Sequence, residues 1–305
     1  MYINNLVFVF IVASFSIINA SNKNAIGNHL MKYFHLLLQS SMKGQKLDQN
    51  TLLKYQSNKE ILSFYKKLPL ILDLTEEDKN VLQSFPKEIW SINWPWSSAE
   101  WGKMADPYYL IYQDILSGIC KKVIRKALIE SGFSKEVKQP VIHYRLGDVP
   151  FVRNYGHHLN KDSFYFWALE KIMFEDNNNK TVRVVSANFH SANLQKKEVS
   201  CLYLNAFINF LNKNGYEVVC ETGSIMEDFA IMVFAPVLIG ASSSFSFMAG
   251  LANEKMFLSP LIGSEIRGKY HANSCCEWMY QEPPLLHCEV RNYFDIKEVL
   301  PLLYE

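Results

Sequence analysis

The 305-residue chain contains no pair of Cys-x-x-Cys units, which removes the usual framework of a structural zinc module. Neither a Walker A pattern nor a G-x-G-x-x-G fingerprint occurs, so ATP hydrolysis on a P-loop and dinucleotide binding lose their sequence basis. Gly240-Ala-Ser-Ser-Ser244 does not form a G-x-S-x-G elbow, which disfavours a serine hydrolase. Charge of one sign is scarce as well: the net charge is +1, and the longest basic runs are pairs such as Lys121-Lys122 and Lys196-Lys197. Such pairs decorate solvent faces of helices, and they argue against nucleic-acid binding by bulk electrostatics. Long apolar runs are missing too. Leu6 to Ile18 has thirteen residues, too few to span a bilayer comfortably.

What is present fits a folded chain with a full core: 49% hydrophobic, 20% charged and 14% aromatic residues. The length favours two lobes. The run 6–18 ends in Asn19-Ala20-Ser21 and predicts a secretory signal, residues 1–20, cleaved after Ala20. No Lys or Arg precedes the run and Ile18 is not small, so an uncleaved signal anchor and a buried amino-terminal strand are the alternatives. The expected address is the lumen of the secretory pathway, ER or Golgi, with the chain soluble, secreted or held to the membrane through residues 6–18. Cys120, Cys201, Cys220, Cys275, Cys276 and Cys288 permit disulfides there, and the last three, spaced across Pro283-Pro284, suit a small covalent staple. Asn179-Lys-Thr181 is an N-glycosylation acceptor that belongs on an exposed loop.

From Asn22 to about Trp101 the pattern is helical and aromatic, without repeats. Trp90, Trp94, Trp96 and Trp101 crowd together, as a packed corner between lobes or a platform for a sugar ring. Asp106-Pro107 opens a helix whose apolar positions Tyr112, Ile115, Ile119 and Val123 recur at helical spacing until Gly132. After Pro140 the alternation becomes regular. Strands are predicted over 141–144, 182–186, 216–219, 237–239 and 255–258, with helices over 162–174, 196–214, 225–234 and 245–252. Strand and helix in turn, at this spacing, predict an α/β fold with a parallel sheet covered on both faces. Residues 138–265 are therefore expected to form a Rossmann-like lobe, 21–137 a helical, aromatic-rich second lobe on the acceptor side, and 266–305 a tail packing back on that second lobe.

Two segments carry the candidate chemistry. In Val141-Ile-His-Tyr-Arg-Leu-Gly-Asp148 an apolar strand runs into Arg145, whose guanidinium cannot shed its charge and needs a carboxylate or a phosphate. An ion pair with Asp148 or a helix acid is the plain alternative. His143 alternates with Arg145 on one strand face, which also fits a hydrogen-bonded core histidine. Further on, Ser242-Ser-Ser244 and Phe245 stand where a strand hands over to a helix, so that Ser243, Ser244 and nearby amides could hold a diphosphate or simply cap the helix. Asp228, in the first turn of the preceding helix, could accept from a base or ribose, though first-turn acids are common. His157, His158 and Asp162 follow the first motif and could face an acceptor hydroxyl.

The order and content of these blocks resemble the GDP-fucose-dependent fucosyltransferase superfamily, which includes the α-1,2-, α-1,6- and protein O-fucosyltransferases. His143-Tyr-Arg145-Leu-Gly147-Asp148 matches its His-x-Arg-x-Gly-Asp motif. Asp228-Phe-Ala230, Ser244-Phe-Ser-Phe-Met-Ala-Gly-Leu251 and the strand Val184-Val-Ser-Ala-Asn188 are similar to later blocks of the α-1,2 branch, although Leu146 stands where many of its members carry a second arginine. The resemblance spans residues 141–255. It implies a GT-B-like architecture and an inverting glycosyltransferase that moves L-fucose from GDP-fucose to a glycan or glycoprotein hydroxyl. It implies no metal or other cofactor; no Asp-x-Asp metal motif occurs. On this resemblance Arg145 and Asp148 are catalytic, with Arg145 at the β-phosphate. His143, Asp228, Ser243, Ser244 and Phe245 line the donor, and His157 or His158 faces the acceptor or serves as base. Another nucleotide sugar as donor, or a luminal GDP- or sugar-binding protein without turnover, are the alternatives.

Overall fold

The computed structural model describes residues 26–53, 56–91, 106–146, 161–173, 180–186, 194–220, 223–241, 243–260 and 276–279, with 297, 301 and 304. Residues 1–20, with the signal and anchor alternatives, lie outside this set, as do Trp94, Trp96, Trp101, Asn179 and Cys288. In chain order the elements are α1 (Ile26–Met42), α2 (Asn50–Leu53), α3 (Lys59–Tyr65), α4 (Glu76–Gln83), α5 (Lys87–Ser91), α6 (Asp106–Glu130), β1 (Val141–His143) and α7 (Asp162–Met173). There follow β2 (Thr181–Val185), α8 (Leu194–Lys213), β3 (Glu217–Cys220), α9 (Ile225–Phe234), β4 (Val237–Ile239), α10 (Ser244–Ala252), β5 (Met256–Pro260) and β6 (Cys276–Met279).

The predicted strands are present within a residue or two of their expected limits and pair only in parallel, in the order β3-β2-β1-β4-β5. β6, from the carboxyl-terminal tail, adds a parallel strand beyond β5. Alternation along each strand sends successive side chains to opposite faces. Val141, Val185, Leu238 and Phe257 enter one core, while Ile142, Val184, Ile239 and Leu258 enter the other. The second core is closed by α7 and α8 through Phe164, Ala168, Tyr203 and Phe207. α9 and α10 cover the first face through Phe229, Ile231, Met248 and Leu251. The architecture is thus α/β, with a parallel Rossmann-like sheet between two helical layers.

The described part of the amino-terminal region is helical, and its core is continuous with the α9/α10 face: Leu30, Phe34, Phe64, Tyr112 and Leu116 share one buried cluster with Phe229 and Leu251. α6 anchors here through buried Ser117, whose hydroxyl donates to the Leu251 carbonyl at 3.3 Å. Its buried stripe is Tyr112, Leu116, Cys120, Ile124 and Ala127, so the expected Ile115, Ile119 and Val123 flank that stripe, partly buried. Trp90 stacks on His35 and on Phe85, so its ring is engaged with protein and belongs to packing rather than to a sugar platform. His35 lies 3.0 Å from the Tyr112 hydroxyl, and burial, partly offset by the Trp90 carbonyl, pushes its pKa down to about 4. On the carboxyl-terminal side, Tyr304 stacks on Phe210 of α8.

One side chain ties the amino ends of β4 and β5 to α9. Asn253 donates through Nδ2 to the carbonyls of Met232 (3.1 Å) and Ala235 (2.9 Å), and its Oδ1 accepts from the Lys255 amide at 2.8 Å. It is buried, so Asn253→Ala leaves the carbonyls of Met232 and Ala235 without that partner away from water and also removes the acceptor of the Lys255 amide. The expected loss is about 2 to 3 kcal/mol of unfolding free energy, measured by denaturant titration.

Candidate functional site

In the order 3-2-1-4-5 the winding reverses between β1 and β4, and the carboxyl ends of those two strands flank the crevice where open α/β sheets bind ligands. Both candidate motifs emerge there. Ile142 pairs with Ile239 across the two strands, so His143 and Gly240 leave the sheet side by side. The His143 ring, 5% exposed, meets the Phe245 ring edge to face at 5.7 Å. Phe245 also packs on Phe229 at 5.4 Å, and Phe229 on Phe64 of α3 at 6.2 Å. A continuous aromatic floor therefore joins β1, α9 and α10, and it sets His143 and Phe245 against Phe229, the residue that follows Asp228.

The exit of β4 is built by serines. Ser243 caps α10 with its hydroxyl, which accepts from the Phe245 amide at 3.2 Å. Ser246, fully buried, donates to the Ala241 carbonyl at 3.1 Å and accepts from the Ala241 amide at 3.2 Å, pinning strand to helix. Thus Ser243 has the capping role that was the plain alternative, and Ser246, which no motif argument singled out, fixes the turn. Ser244 is partly exposed, and its hydroxyl makes no hydrogen bond among the described residues. Free amides of a helix amino terminus favour an anion at this point.

Gly27 is a second residue that the sequence left unmarked. A Cβ on it would sit 2.3 Å from the Ser244 carbonyl carbon and 2.4 Å from the Phe245 nitrogen, so only glycine lets the first turn of α1 lie against the turn into α10. The amino ends of two helices therefore meet beside the crevice. An Ile-Gly pair opening an amphipathic helix is the signal that could have drawn attention.

Asp228 is buried, and its Oδ1 accepts from the Gly223 amide at 3.1 Å. α9 starts with a capping box between Ser224 and Glu227, which fixes the first turn and so the position of Asp228. Burial raises its carboxyl to about 6; the Gly223 bond opposes this and Glu227 adds to it. Arg145 stands two residues beyond His143, half-buried at the strand exit. Asp148, His157 and His158 lie outside the described residues.

Asp162 corrects an expectation. It does not face an acceptor: it is wholly buried at the start of α7, and its Oδ1 accepts from the Tyr144 hydroxyl at 3.1 Å, on the opposite face of the sheet from His143. Its place at a helix start suggested exposure, but Tyr144 draws it inward. Ser186, at the exit of β2, is also buried, with no hydrogen bond to its hydroxyl among the described residues.

Among the described residues no group of three His, Cys, Asp or Glu is placed to hold a metal ion, and no helix is long and apolar enough to cross a membrane. Among the described residues Cys120 and Cys220 are free thiols. Comparisons with protein-family models, with curated proteins and with solved structures find no match for the chain.

Proposed function

We propose that the crevice between the exits of β1 and β4 binds a nucleoside diphosphate sugar, and that the protein is an inverting glycosyltransferase using GDP-fucose. The observation that carries this is the meeting of the two motifs, His143 against Phe245, at the switch point of a parallel sheet. Sequence order alone, with about a hundred residues between the motifs, did not require it. Arg145 engages the β-phosphate, the Ser244 amide and hydroxyl lie at the diphosphate with Phe245 beside them, and Asp228 accepts from the base or ribose.

The reaction is one displacement. The acceptor oxygen bonds to the anomeric carbon as the bond from that carbon to the phosphate oxygen breaks. GDP leaves with the bonding pair, and the hydroxyl proton passes to Asp148, His157 or His158. Negative charge grows on the leaving oxygens, so a preorganised guanidinium stabilises the transition state more than the ground state. No metal is required by this scheme. The acceptor is a glycan or glycoprotein hydroxyl in the secretory lumen, reached through residues 1–20 acting as signal or anchor.

Transfer assays with GDP-, UDP- and CMP-sugars test the donor. GDP-fucose as the preferred donor supports the reading; preference for another sugar retains the transferase and changes the donor. GDP binding without transfer to any acceptor points to a luminal binding protein. A pH test bears on Asp228. An ionised carboxylate accepts more strongly than the protonated acid, and the raised value of Asp228 places that change near 6. GDP affinity should therefore rise between pH 5 and 7 with a midpoint at about 6, and Asp228→Asn should remove the dependence. Titration calorimetry across that range checks it.

A further inference from the structure

The chain leaves β1 at His143 and begins α7 at Asp162, and the two points are bonded to each other. The Tyr144 hydroxyl donates to Asp162 Oδ1 at 3.1 Å, and the Tyr165 hydroxyl, one turn into α7, donates to the His143 carbonyl at 3.3 Å. The Tyr144 amide donates to the Val185 carbonyl of β2 at 2.9 Å, and the Tyr144 ring stacks on Phe207 of α8 at 4.2 Å and 5°. These are the last two residues before Arg145. We propose that Asp162 is a positioning residue: its bond to Tyr144 ties the exit of β1, and with it Arg145, to the first turn of α7. This rests on Arg145 serving the diphosphate.

An ordinary surface carboxylate would not be placed this way. Asp162 is 0% exposed, its Oδ2 has no hydrogen-bond partner among the described residues, and no cation there pairs with it. Among the described residues, the titratable groups that act on it or on its partner are phenols: Tyr144 just past β1 and Tyr304 from the carboxyl-terminal end on Asp162 itself, and Tyr165 on α7 and Tyr203 on α8 on Tyr144. Burial drives its carboxyl well above the usual range, the Tyr144 bond opposing, so this site favours the protonated form. The sign follows. An acid whose folded value is raised contributes stability that is complete below its ordinary value near 4 and is lost as pH rises toward the folded value. Asp162→Asn keeps the acceptor for Tyr144 and cannot ionise, so its stability relative to wild type should climb with pH above about 4.

The test is amide hydrogen exchange on the full chain, as wild type, Asp162→Ala, Asp162→Asn and Tyr144→Phe, with GDP titration of each. Asp162→Ala and Tyr144→Phe should speed exchange over residues 142–146 at least about tenfold, leave β3 and β5 near wild type, and weaken GDP binding by about tenfold. Asp162→Asn should stay close to wild type in both. Unchanged exchange at the β1 exit in Tyr144→Phe, or acceleration spread evenly over the sheet, would overturn the proposal, as would an Asp162→Asn variant that grows less stable relative to wild type as pH rises. If wild type fails to bind GDP, the donor assignment falls by itself, and the exchange comparison still decides whether the clasp holds the strand exit.

Discussion

Arg145→Lys is expected to lower transfer from GDP-fucose by about 100- to 1,000-fold while leaving the melting temperature unchanged. The expectation follows from shape rather than charge. A guanidinium offers a planar fork that can take two oxygens of one phosphate, whereas an ammonium is a single point donor. If the arginine acts on charge that develops on the departing diphosphate, the loss falls on turnover as well as on affinity. The fold bears a Lys here at little cost, because Arg145 is half-buried at a strand exit rather than inside either core. A variant with near-normal turnover would remove Arg145 from the chemistry.

The second large effect is expected at Gly27. In Gly27→Ala the new methyl would lie 2.3 to 2.4 Å from the backbone of Ser244 and Phe245, far inside contact distance. Backbone cannot rotate away as a side chain can, so α1 or the turn into α10 must shift. The expected cost is about 2 to 3 kcal/mol, read from denaturant titration. GDP binding should weaken by at least about tenfold, because the displaced turn carries the Ser244 groups assigned to the diphosphate. Gly118 in α6 is the control: it is exposed and a Cβ there meets nothing within 4 Å. Gly118→Ala should stabilise the chain by about 0.5 to 1 kcal/mol through helix propensity alone.

The sheet was legible in the sequence because its strands are short, apolar and set between strong helical periods. Val184 and Val185 illustrate the reason: buried on both faces, a parallel strand reads as a continuous apolar run, and its length separates it from a helix. Turn chemistry placed the start of α10 at the serine turn, where Ser243 caps it. The amino-terminal helices were less legible, since their burial is decided at long range. Phe64 is buried by Phe229 and His35 by Trp90 and Tyr112, partners far away in the chain. β6 carries no alternation of its own to announce it and is defined by its pairing with β5.

The site divides the same way. His143 and the serine turn were found because residue type and strand exit coincide there. Ser246 was missed because its role, a doubled bond to Ala241, depends on how the strand enters the helix. Gly27 was missed because a close approach between α1 and α10 leaves no local mark except the absence of a side chain. Asp162 was misplaced because a helix-start aspartate usually faces water, and only the ring of Tyr144 against Phe207 turns that position inward.

On the proposed function, one nucleotide sits between the exits of β1 and β4. Calorimetric titration of the full chain with GDP, with UDP as control, repeated on Arg145→Ala, tests it most directly. The wild type should bind GDP selectively, and the variant should lose that binding. Absence of binding to either nucleotide, or GDP binding that Arg145→Ala leaves intact, would contradict it.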